Sequence, residues 1–227
     1  MLHLNRRAAA DPSACPPPPH EASDVFAFGP SGLAGVRMRF ARGEEIFYQG
    51  GASDHVYRVV SGVVSSVRYS SEGGRQIMRF HFAGDIFGLD PAPMRTSCAE
   101  TITDVEVLAV RSAVLNRAVE ANAANARALI GLVHEEVRLT QEHTSLLGLK
   151  TARERLFRFL TKLAEQDGES VVELPMSRAD IADHLALTIE TVSRTFTELV
   201  LARAISLPRA RCVILHRRGA LKVLAPA

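Results

Sequence analysis

The sequence predicts an α+β fold with a β-rich N-terminal half, one long helix, and a C-terminal unit of short helices closed by a β-hairpin. Short apolar runs alternate with glycines between residues 35 and 110. Residues 123–147 contain no proline and keep a helical apolar repeat. Residues 177–203 hold two amphipathic segments that each begin at a hydroxyl side chain. These three patterns are typical of strands, a long helix and a pair of short helices, in that order.

The composition indicates an ordinary globular protein. Hydrophobic residues make up 47% and charged residues 23% of the 227 residues, which suits one large domain or two small ones. No apolar run is long enough to cross a membrane. Arg6 and Arg7 are followed by only three alanines before Asp11, too few for the apolar core of a signal peptide. We therefore expect no membrane partner and a cytoplasmic location.

The three cysteines, Cys15, Cys98 and Cys212, lie far apart and form no C-x-x-C pair. This spacing argues against a disulfide framework and against a zinc or iron–sulfur site built by this chain alone. We expect three free thiols in a reducing compartment, no metal site and no cofactor.

The N-terminal region divides into a tail and a roll. Residues 1–22 contain Pro12 and four consecutive prolines at 16–19, so we expect a disordered tail. Residues 23–121 carry short strands about ten residues apart, which predicts a small barrel or roll. The predicted strands are residues 46–48, 56–60, 63–67, 76–80 and 99–110, with a hairpin loop at 71–74.

Two helices are expected after the roll. The first covers residues 112–119, with Ser112 as its N-cap. The second covers residues 122–148 and carries two apolar stripes. One stripe, spaced by three and four residues like a coiled-coil seam, comprises Ile130, Val133, Val137, Thr140, Thr144 and Leu147. The other, which can pack on the roll, comprises Leu129, Leu132, Leu139 and Leu146. We expect the seam to be a dimer interface; the alternative is a helix packed entirely within its own chain.

Residues 149–227 form the predicted C-terminal domain. A helix over 151–166 ends at Asp167 and Gly168, and a short strand follows at 171–175. This domain holds 13 basic and 9 acidic residues, whereas residues 1–148 hold 14 and 16. The excess favours an anionic partner, although an ordinary charged surface explains it as well.

The segment after that strand has the pattern of a helix-turn-helix. Ser177 is the predicted N-cap of the first helix, and Asp180 completes an approximate capping box. The helical period breaks at residues 186–187, and Thr188 caps the second helix. The inner faces are Ile181, Ala182 and Leu185, then Val192, Phe196, Leu199 and Val200. In such a unit the second helix lies in the major groove of DNA.

The first turn of the second helix presents Ile189, Glu190, Ser193 and Arg194. Glu can accept from cytosine N4, Arg can donate to guanine O6 and N7, and Ser can bond to either base. Glu190 and Arg194 are also spaced as a helical surface ion pair, and spacing alone does not separate these interpretations. The hydroxyls, backbone N–H groups and cation at the two helix starts can hold phosphates; the candidates are Ser177, Arg178, Thr188 and Thr191.

A two-stranded wing is expected after the second helix. Residues 204–208 and 212–215 are strand-like and flank a loop containing Arg209 and Arg211. Together with Arg217 and Arg218, these arginines are candidates for salt-sensitive, sequence-independent contacts with the DNA backbone. Each is equally explained as part of a solvated charged edge.

These motifs resemble the Crp/Fnr superfamily of regulators, in particular its Fnr and FixK-like branch, over about residues 27–222. The specific part is the E-x-x-S-R pattern at 190–194, supported by the glycine-rich turns at 43–50 and 84–88. The resemblance implies a cyclic-nucleotide-binding-like roll, a dimerisation helix and a winged helix-turn-helix. It also implies a non-enzymatic homodimer on a two-fold symmetric TTGAT-like site, with base contacts from Glu190, Ser193 and Arg194 and activation through RNA polymerase.

Three departures from the family pattern qualify the resemblance. Only Cys15 lies where Fnr-type sensors carry a cysteine cluster, so we expect no iron–sulfur cluster. Asp85, Arg95 and Thr96 occupy positions for an effector pocket, but residues 89–94 are unlike the usual phosphate-binding segment. Ala186 stands where the branch often has Gly; a left-handed conformation there would cost roughly 1 kcal/mol.

Two other functions of the roll are alternatives to a regulator that needs no effector. An effector-gated regulator would bind a cyclic nucleotide or haem, with His81 and His20 as possible haem ligands, but a single histidine is usually structural. A cupin-like metalloenzyme would need a His-x-His pair, and no second His follows His81.

Overall fold

The structure is a computed structural model that describes residues 25–26, 28, 32–90, 92–167 and 170–216. The predicted tail at residues 1–22 lies outside these ranges, as do Cys15, His20, Arg217 and Arg218. None of the helices in the described ranges is both long and apolar enough to cross a bilayer.

The N-terminal half is the expected β-roll, followed along the chain by helices. Two four-stranded antiparallel sheets form it, with strand orders β3-β10-β5-β8 and β4-β9-β6-β7, beside a small β1-β2 pair. The strands are β1 (Val25–Phe26), β2 (Leu33–Ala34), β3 (Val36–Phe40), β4 (Glu45–Phe47), β5 (His55–Ser61), β6 (Val64–Tyr69), β7 (Arg75–His81), β8 (Ile86–Phe87), β9 (Cys98–Thr101) and β10 (Val105–Arg111). The predicted hairpin loop joins β6 to β7.

The single strand expected over residues 99–110 is wrong. The chain instead leaves one sheet at the end of β9 and enters the other at β10. The turn between them is held by polar contacts: Thr103 Oγ1 accepts from the Val63 N–H at 3.0 Å, and Asp104 accepts from the Arg42 N–H at 3.0 Å. Gly62 has a φ of +84°, and a Cβ there would collide with the Asp104 carbonyl, so this crossing requires glycine.

The first helix, α1 (Ser112–Ala121), starts at Ser112 and not after it. The expected Ser112 N-cap is wrong: Arg111 is in the cap position without a side-chain cap. The Ser112 hydroxyl instead donates to the Ser53 carbonyl at 3.2 Å. This contact ties the end of the roll to α1, and it explains why a serine stands at this point of the chain.

The long helix α2 (Ala123–Leu147) begins where predicted. Asn122 caps it by accepting from the Ala124 N–H at 2.8 Å. The stripe expected to face the roll is partly buried: Leu129 and Leu132 pack with roll residues, and Leu146 packs with the C-terminal core. The seam is outside these contacts, with Ile130, Val133 and Val137 remaining 54%, 47% and 49% exposed.

The C-terminal unit consists of three helices and a three-stranded sheet. Its elements are α3 (Ala152–Asp167), β11 (Val171–Glu173), α4 (Arg178–Leu185), α5 (Ile189–Leu201), β12 (Ile205–Arg209) and β13 (Cys212–Leu215). The predicted two-stranded wing is corrected by the order β11-β13-β12. The strand before the helix-turn-helix pairs with β13, so the wing is anchored on both sides of the recognition segment.

The roll and the C-terminal unit share one apolar core. Val67, Ile77 and Phe80 of the roll belong to the same buried cluster as Leu160 and Ile181 of the C-terminal helices. Because this core is continuous, the roll takes part in holding the helix-turn-helix in position.

Candidate nucleic-acid interface

Helix α4 begins with the predicted capping box. The Ser177 hydroxyl accepts from the Asp180 N–H at 3.1 Å, and the Asp180 carboxylate accepts from the Ser177 N–H at 2.9 Å. Ser177 Oγ also donates to the same carboxylate at 2.6 Å. The box satisfies donors that a helix start leaves unpaired. The predicted phosphate contact at Ser177 therefore has its hydroxyl engaged within the cap.

The turn between α4 and α5 has the left-handed residue anticipated at Ala186, with φ 52° and ψ 52°. The next residue closes the turn, since the Leu187 N–H donates to the Ala182 carbonyl at 3.0 Å. An alanine in this conformation brings its Cβ close to a carbonyl oxygen, at a cost of about 1 kcal/mol. This strained conformation allows the chain to change direction between α4 and α5 within three residues.

The recognition helix α5 is amphipathic and capped by Thr188, whose hydroxyl accepts from the Thr191 N–H at 3.2 Å. Its inner face contains Val192, Phe196 and Leu199, all buried. Its outer face contains the predicted base-contact residues, which are exposed: Ile189, Glu190, Ser193 and Arg194. One face of the helix therefore presents these four side chains to solvent.

Glu190 and Arg194 are not an ion pair. Among the described residues, no ion pair joins these two side chains, although both are exposed and lie one helical turn apart on α5. Hydrogen bonds from the backbone N–H of Glu190 itself and from Thr188 lower the pKa of the Glu190 carboxyl. The carboxylate is thus held ionised at the start of α5, as an acceptor for a base amino group requires.

Arg178 lies between the helix-turn-helix and the wing. Its guanidinium carbon is 3.0 Å from the centroid of the Phe196 ring, and Nη2 donates to the Ala210 carbonyl at 3.4 Å. Burial lowers the pKa of this group to about 10, so it remains charged at neutral pH. Its packing joins α4, α5 and the wing; its predicted phosphate contact stays a prediction.

The wing carries its arginines at the tip. Arg209 is 75% exposed and its Nη2 is 2.6 Å from the Glu173 carboxylate on β11. Arg211 lies beside it, with Nη1 3.5 Å from the Pro175 carbonyl. An exposed pair of this kind contributes little to stability, so Arg209 can exchange Glu173 for a phosphate at small cost.

Inside the roll, the candidate effector residues Asp85 and Arg95 bind different partners. The Asp85 carboxylate accepts from the Phe82 N–H at 3.0 Å and lies 3.5 Å from Arg79. Arg95, with a fully buried side chain, instead pairs with Asp90 at 2.9 Å. Asp90 also accepts from the N–H and the hydroxyl of Thr96. The carboxylate of Asp90 thus occupies the donors that an anionic ligand would need.

Aromatic rings fill the space beside this pair. Tyr57 stacks on Phe87 with centroids 5.2 Å apart and on Phe47 at 5.7 Å, and the Arg95 guanidinium lies 4.0 Å above Phe47. His81, the possible haem ligand, is buried with Nε2 2.7 Å from the Ser66 hydroxyl. The interior of the roll is therefore packed with its own side chains.

The residues that hold α4 at its C-terminal end were not predicted from the sequence. The carbonyls of its last three residues, Asp183, His184 and Leu185, accept from Gln76 at 2.5 Å, from His143 at 2.9 Å and from Arg155 at 3.3 Å, respectively. These donors come from the roll, the long helix and α3. Helix ends leave such carbonyls unpaired, but the sequence carries no local signal of which distant side chain satisfies them.

The thiols of the described cysteines are not near this surface. Cys98 and Cys212 are both free and buried, in the roll and in the wing. Burial raises the pKa of the Cys98 thiol, which disfavours the reactive thiolate.

Two family models match the chain, one for each half. Residues 37–122 match the cyclic nucleotide-binding domain, and residues 154–224 match the Crp-like helix-turn-helix domain. The first match covers the roll, within which Arg95 pairs with Asp90 as described above.

Similar proteins cover nearly the whole chain. The nitrogen fixation regulation protein FixK of Azorhizobium caulinodans is 41% identical over 97% of this chain and 87% of its own length. The transcriptional activatory protein AadR of Rhodopseudomonas palustris is 34% identical over 71% of this chain and 70% of its own. The solved structure of FixK2 from Bradyrhizobium japonicum superposes with a TM-score of 0.80 at 37% identity, covering 86% of this chain and 99% of that one.

Three observations agree with one another. These are the two domain matches, the roll and helix-turn-helix of the structure, and the sequence identity to FixK proteins. This chain belongs to the Crp/Fnr superfamily, in its FixK-like branch: it is a transcription regulator with a helix-turn-helix DNA-binding domain, and not an enzyme.

Proposed function

We propose that the protein is a sequence-specific activator that binds a two-fold symmetric, TTGAT-like DNA site as a homodimer and needs neither an iron–sulfur cluster nor a small effector. The observation that carries this proposal is the outer face of α5. Glu190, Ser193 and Arg194 are exposed together on the first turns of a helix whose opposite face is buried. Acceptor and donor side chains so placed match the base edges of the major groove.

The exposed seam of α2 supports a homodimer. Ile130, Val133 and Val137 are about half exposed and share one helix face with Thr140 and Thr144. Isolated apolar side chains are common on surfaces, but a stripe at coiled-coil spacing indicates a partner helix. A second copy of the same helix satisfies the pattern, and it gives the two recognition helices the two-fold symmetry of a palindromic site.

The packed interior of the roll supports independence from an effector. An incoming cyclic nucleotide would have to displace Asp90 from Arg95 and separate the Phe47 and Tyr57 rings. An anionic ligand would only exchange one ion pair on Arg95 for another, so it would gain the difference between the two pairs and not the full energy of a new one. The roll therefore acts as a scaffold in this proposal.

Activation is proposed from the similarity to AadR, a transcriptional activatory protein, and to the FixK regulators. An activator bound upstream of a promoter acts through RNA polymerase, which we infer to be the second macromolecular partner. Because bacterial promoters lie in the cytoplasm, the proposed function also places the protein there.

Selection of DNA from a random pool tests the proposal directly. The purified protein, stripped of ligands by gel filtration at high salt, is incubated with the pool, and the bound duplexes are sequenced. We expect two inverted TTGAT-like half-sites at a fixed separation. Recovery of unrelated sequences, or recovery only after a cyclic nucleotide is added, would contradict the proposal.

A further inference from the structure

Strand β7 of the roll and helix α4 of the DNA-binding unit form a polar joint. The Arg75 guanidinium lies 2.5 Å from the Asp183 carboxylate and 3.4 Å from Asp180, while its other nitrogen binds Glu100 of the roll at 2.7 Å. The Gln76 amide donates to the Asp183 carbonyl at 2.5 Å. Two neighbouring side chains of the roll thus bind the carboxylate and the carbonyl of one helical residue.

Further hydrogen bonds from β7 and from the long helix add to this joint. The His184 ring nitrogen Nδ1 is 3.0 Å from the Ile77 carbonyl on β7, and His143 of the long helix binds the His184 carbonyl. Asp180 also closes the capping box of α4. Helix α4 is therefore held at its start and at its end by groups that lie outside the helix-turn-helix.

The orientation of α4 sets the orientation of α5. Only a three-residue turn separates the two helices, and Ala186 within it is fixed in a left-handed conformation. The inner faces of α4 and α5 share the same buried cluster. A rotation of α4 relative to the roll therefore moves the whole recognition surface.

We propose that Arg75 and Gln76 are positioning residues for DNA binding: the roll holds α4 so that the two recognition helices of the dimer keep one fixed separation. This inference rests on the proposed function, since it assumes a dimer on two half-sites. Neither residue touches DNA; both act through α4. Their contribution is to the simultaneous binding of two half-sites, which depends on whether the linked units can reach both at once.

The test is a half-site spacing profile. The full chain is titrated against duplexes with two TTGAT-type half-sites whose separation is changed by one and two base pairs, and against a duplex with a single half-site. For the Arg75→Gln, Gln76→Ala double variant we expect about tenfold weaker binding at the best spacing, within the range of coupling between sites. We expect a flatter dependence on spacing and unchanged binding to the single half-site.

Arg68→Gln is the matched control, because Arg68 lies on the adjacent strand with its guanidinium 3.4 Å from the Thr96 carbonyl of the roll. It should keep the profile of the parent protein. A double variant that also keeps that profile overturns the inference, as does one that loses single-half-site affinity to the same extent. If the parent protein binds no paired half-sites at all, the proposed function fails instead.

A second variant keeps the test valid if the first is poorly folded. Asp183→Asn removes the charge on the other side of the joint while retaining the shape of the side chain. It should flatten the spacing profile by itself, and adding Arg75→Gln should flatten it little further, since the two residues form one contact. Fully additive effects would overturn the inference.

Discussion

His143 of the long helix and His184 of α4 stack face to face, with ring centroids 4.2 Å apart and an angle of 2° between their planes. Phe80 of the roll and Phe159 of α3 close the cluster around His184, at 5.1 and 5.3 Å. Two parallel rings at this distance repel if both are charged. Burial, together with a smaller effect of the neighbouring His143, lowers the pKa of His184 to about 3. Burial also lowers the pKa of His143.

This stack predicts acid sensitivity of the fold. An unfolded histidine has a pKa near 6.5, so the stability contributed by a neutral His184 is complete above that value and is lost as the pH falls from about 6.5 toward 3. Each such group lowers the free energy of unfolding by up to about 1.4 kcal/mol per pH unit. The His184→Phe variant should lose less stability between pH 7 and pH 5 than the parent protein. Urea unfolding followed by circular dichroism measures this; exposed His134→Phe is the control, and equal slopes for His184→Phe and parent would refute it.

Arg194→Ala should weaken binding to a TTGAT-type duplex by about 1–3 kcal/mol and relax discrimination at the contacted guanine. The reason is the loss of two donors from the exposed face of α5. Arg158→Ala removes the same charge from the exposed surface of α3 and should leave the base preference intact. Gel-shift titration at fixed salt separates the variants, and identical sequence preference for Arg194→Ala and the parent protein would be the contrary result.

Val137→Glu should convert the dimer into monomers, because it puts a charge into the middle of the exposed seam of α2. Sedimentation velocity at micromolar concentration measures the outcome. Arg138→Gln changes the charge by one unit on the neighbouring face, where Arg138 pairs with Glu135 and Glu142, and should remain dimeric. A dimeric Val137→Glu protein would show that the interface lies elsewhere.

Asp90→Ala should destabilise the protein by about 3 kcal/mol or more, because the fully buried Arg95 then loses its counter-ion. Thermal unfolding of the variant and of Glu72→Ala, an exposed residue in the loop between β6 and β7, provides the comparison. In the parent protein, millimolar cyclic AMP should leave the DNA affinity within about twofold, since the differential affinity of an effector sets how far it shifts an equilibrium. If Asp90→Ala lowers the free energy of unfolding by less than about 1 kcal/mol, the proposed role of the roll as a filled scaffold is contradicted. A strong change in the DNA affinity of the parent protein on addition of the nucleotide would contradict it as well.

Ala186→Gly should stabilise the protein by about 1 kcal/mol, because glycine adopts the left-handed conformation of this turn without the Cβ contact. The same substitution at Ala179, within α4, should instead destabilise it by about 0.5–1 kcal/mol. Chemical unfolding measures the change in the free energy of unfolding for each variant. The two changes have opposite signs if the strain at Ala186 is real, and the same sign if it is not.

Those parts of the structure that depend on local signals were predictable. Ser177, Asp180 and Thr188 act within three residues of themselves, so the starts of α4 and α5 follow from the sequence alone. The two stripes of α2 were separated correctly because helical spacing assigns them to different faces. The strand over residues 99–110 was wrong because apolar content does not reveal where a chain changes sheets.

Contacts between distant residues were not predictable. Arg75 and Asp183 are separated by more than a hundred positions, and Arg75 by itself is one arginine among many on a strand. The sequence shows that residues 89–94 are unlike the usual phosphate-binding segment, but not that the carboxylate of Asp90 within it binds both Arg95 and Thr96. The predicted Ser112 cap was wrong because of another contact between distant residues: the Ser112 hydroxyl donates to the Ser53 carbonyl of the roll.

The mixed chemistry of the α2 seam has a consequence for gene control. Its aliphatic half is short, and Thr140 and Thr144 donate their hydroxyls to the Glu136 and Thr140 carbonyls of their own helix, so the seam offers the proposed partner helix only a modest apolar area. If the proposed dimer is weak and must assemble to hold both half-sites, promoter occupancy would rise with the square of the subunit concentration at low abundance. Under the proposed function, in which the roll needs no effector, small changes in the synthesis or degradation of the protein would then decide when its promoters respond.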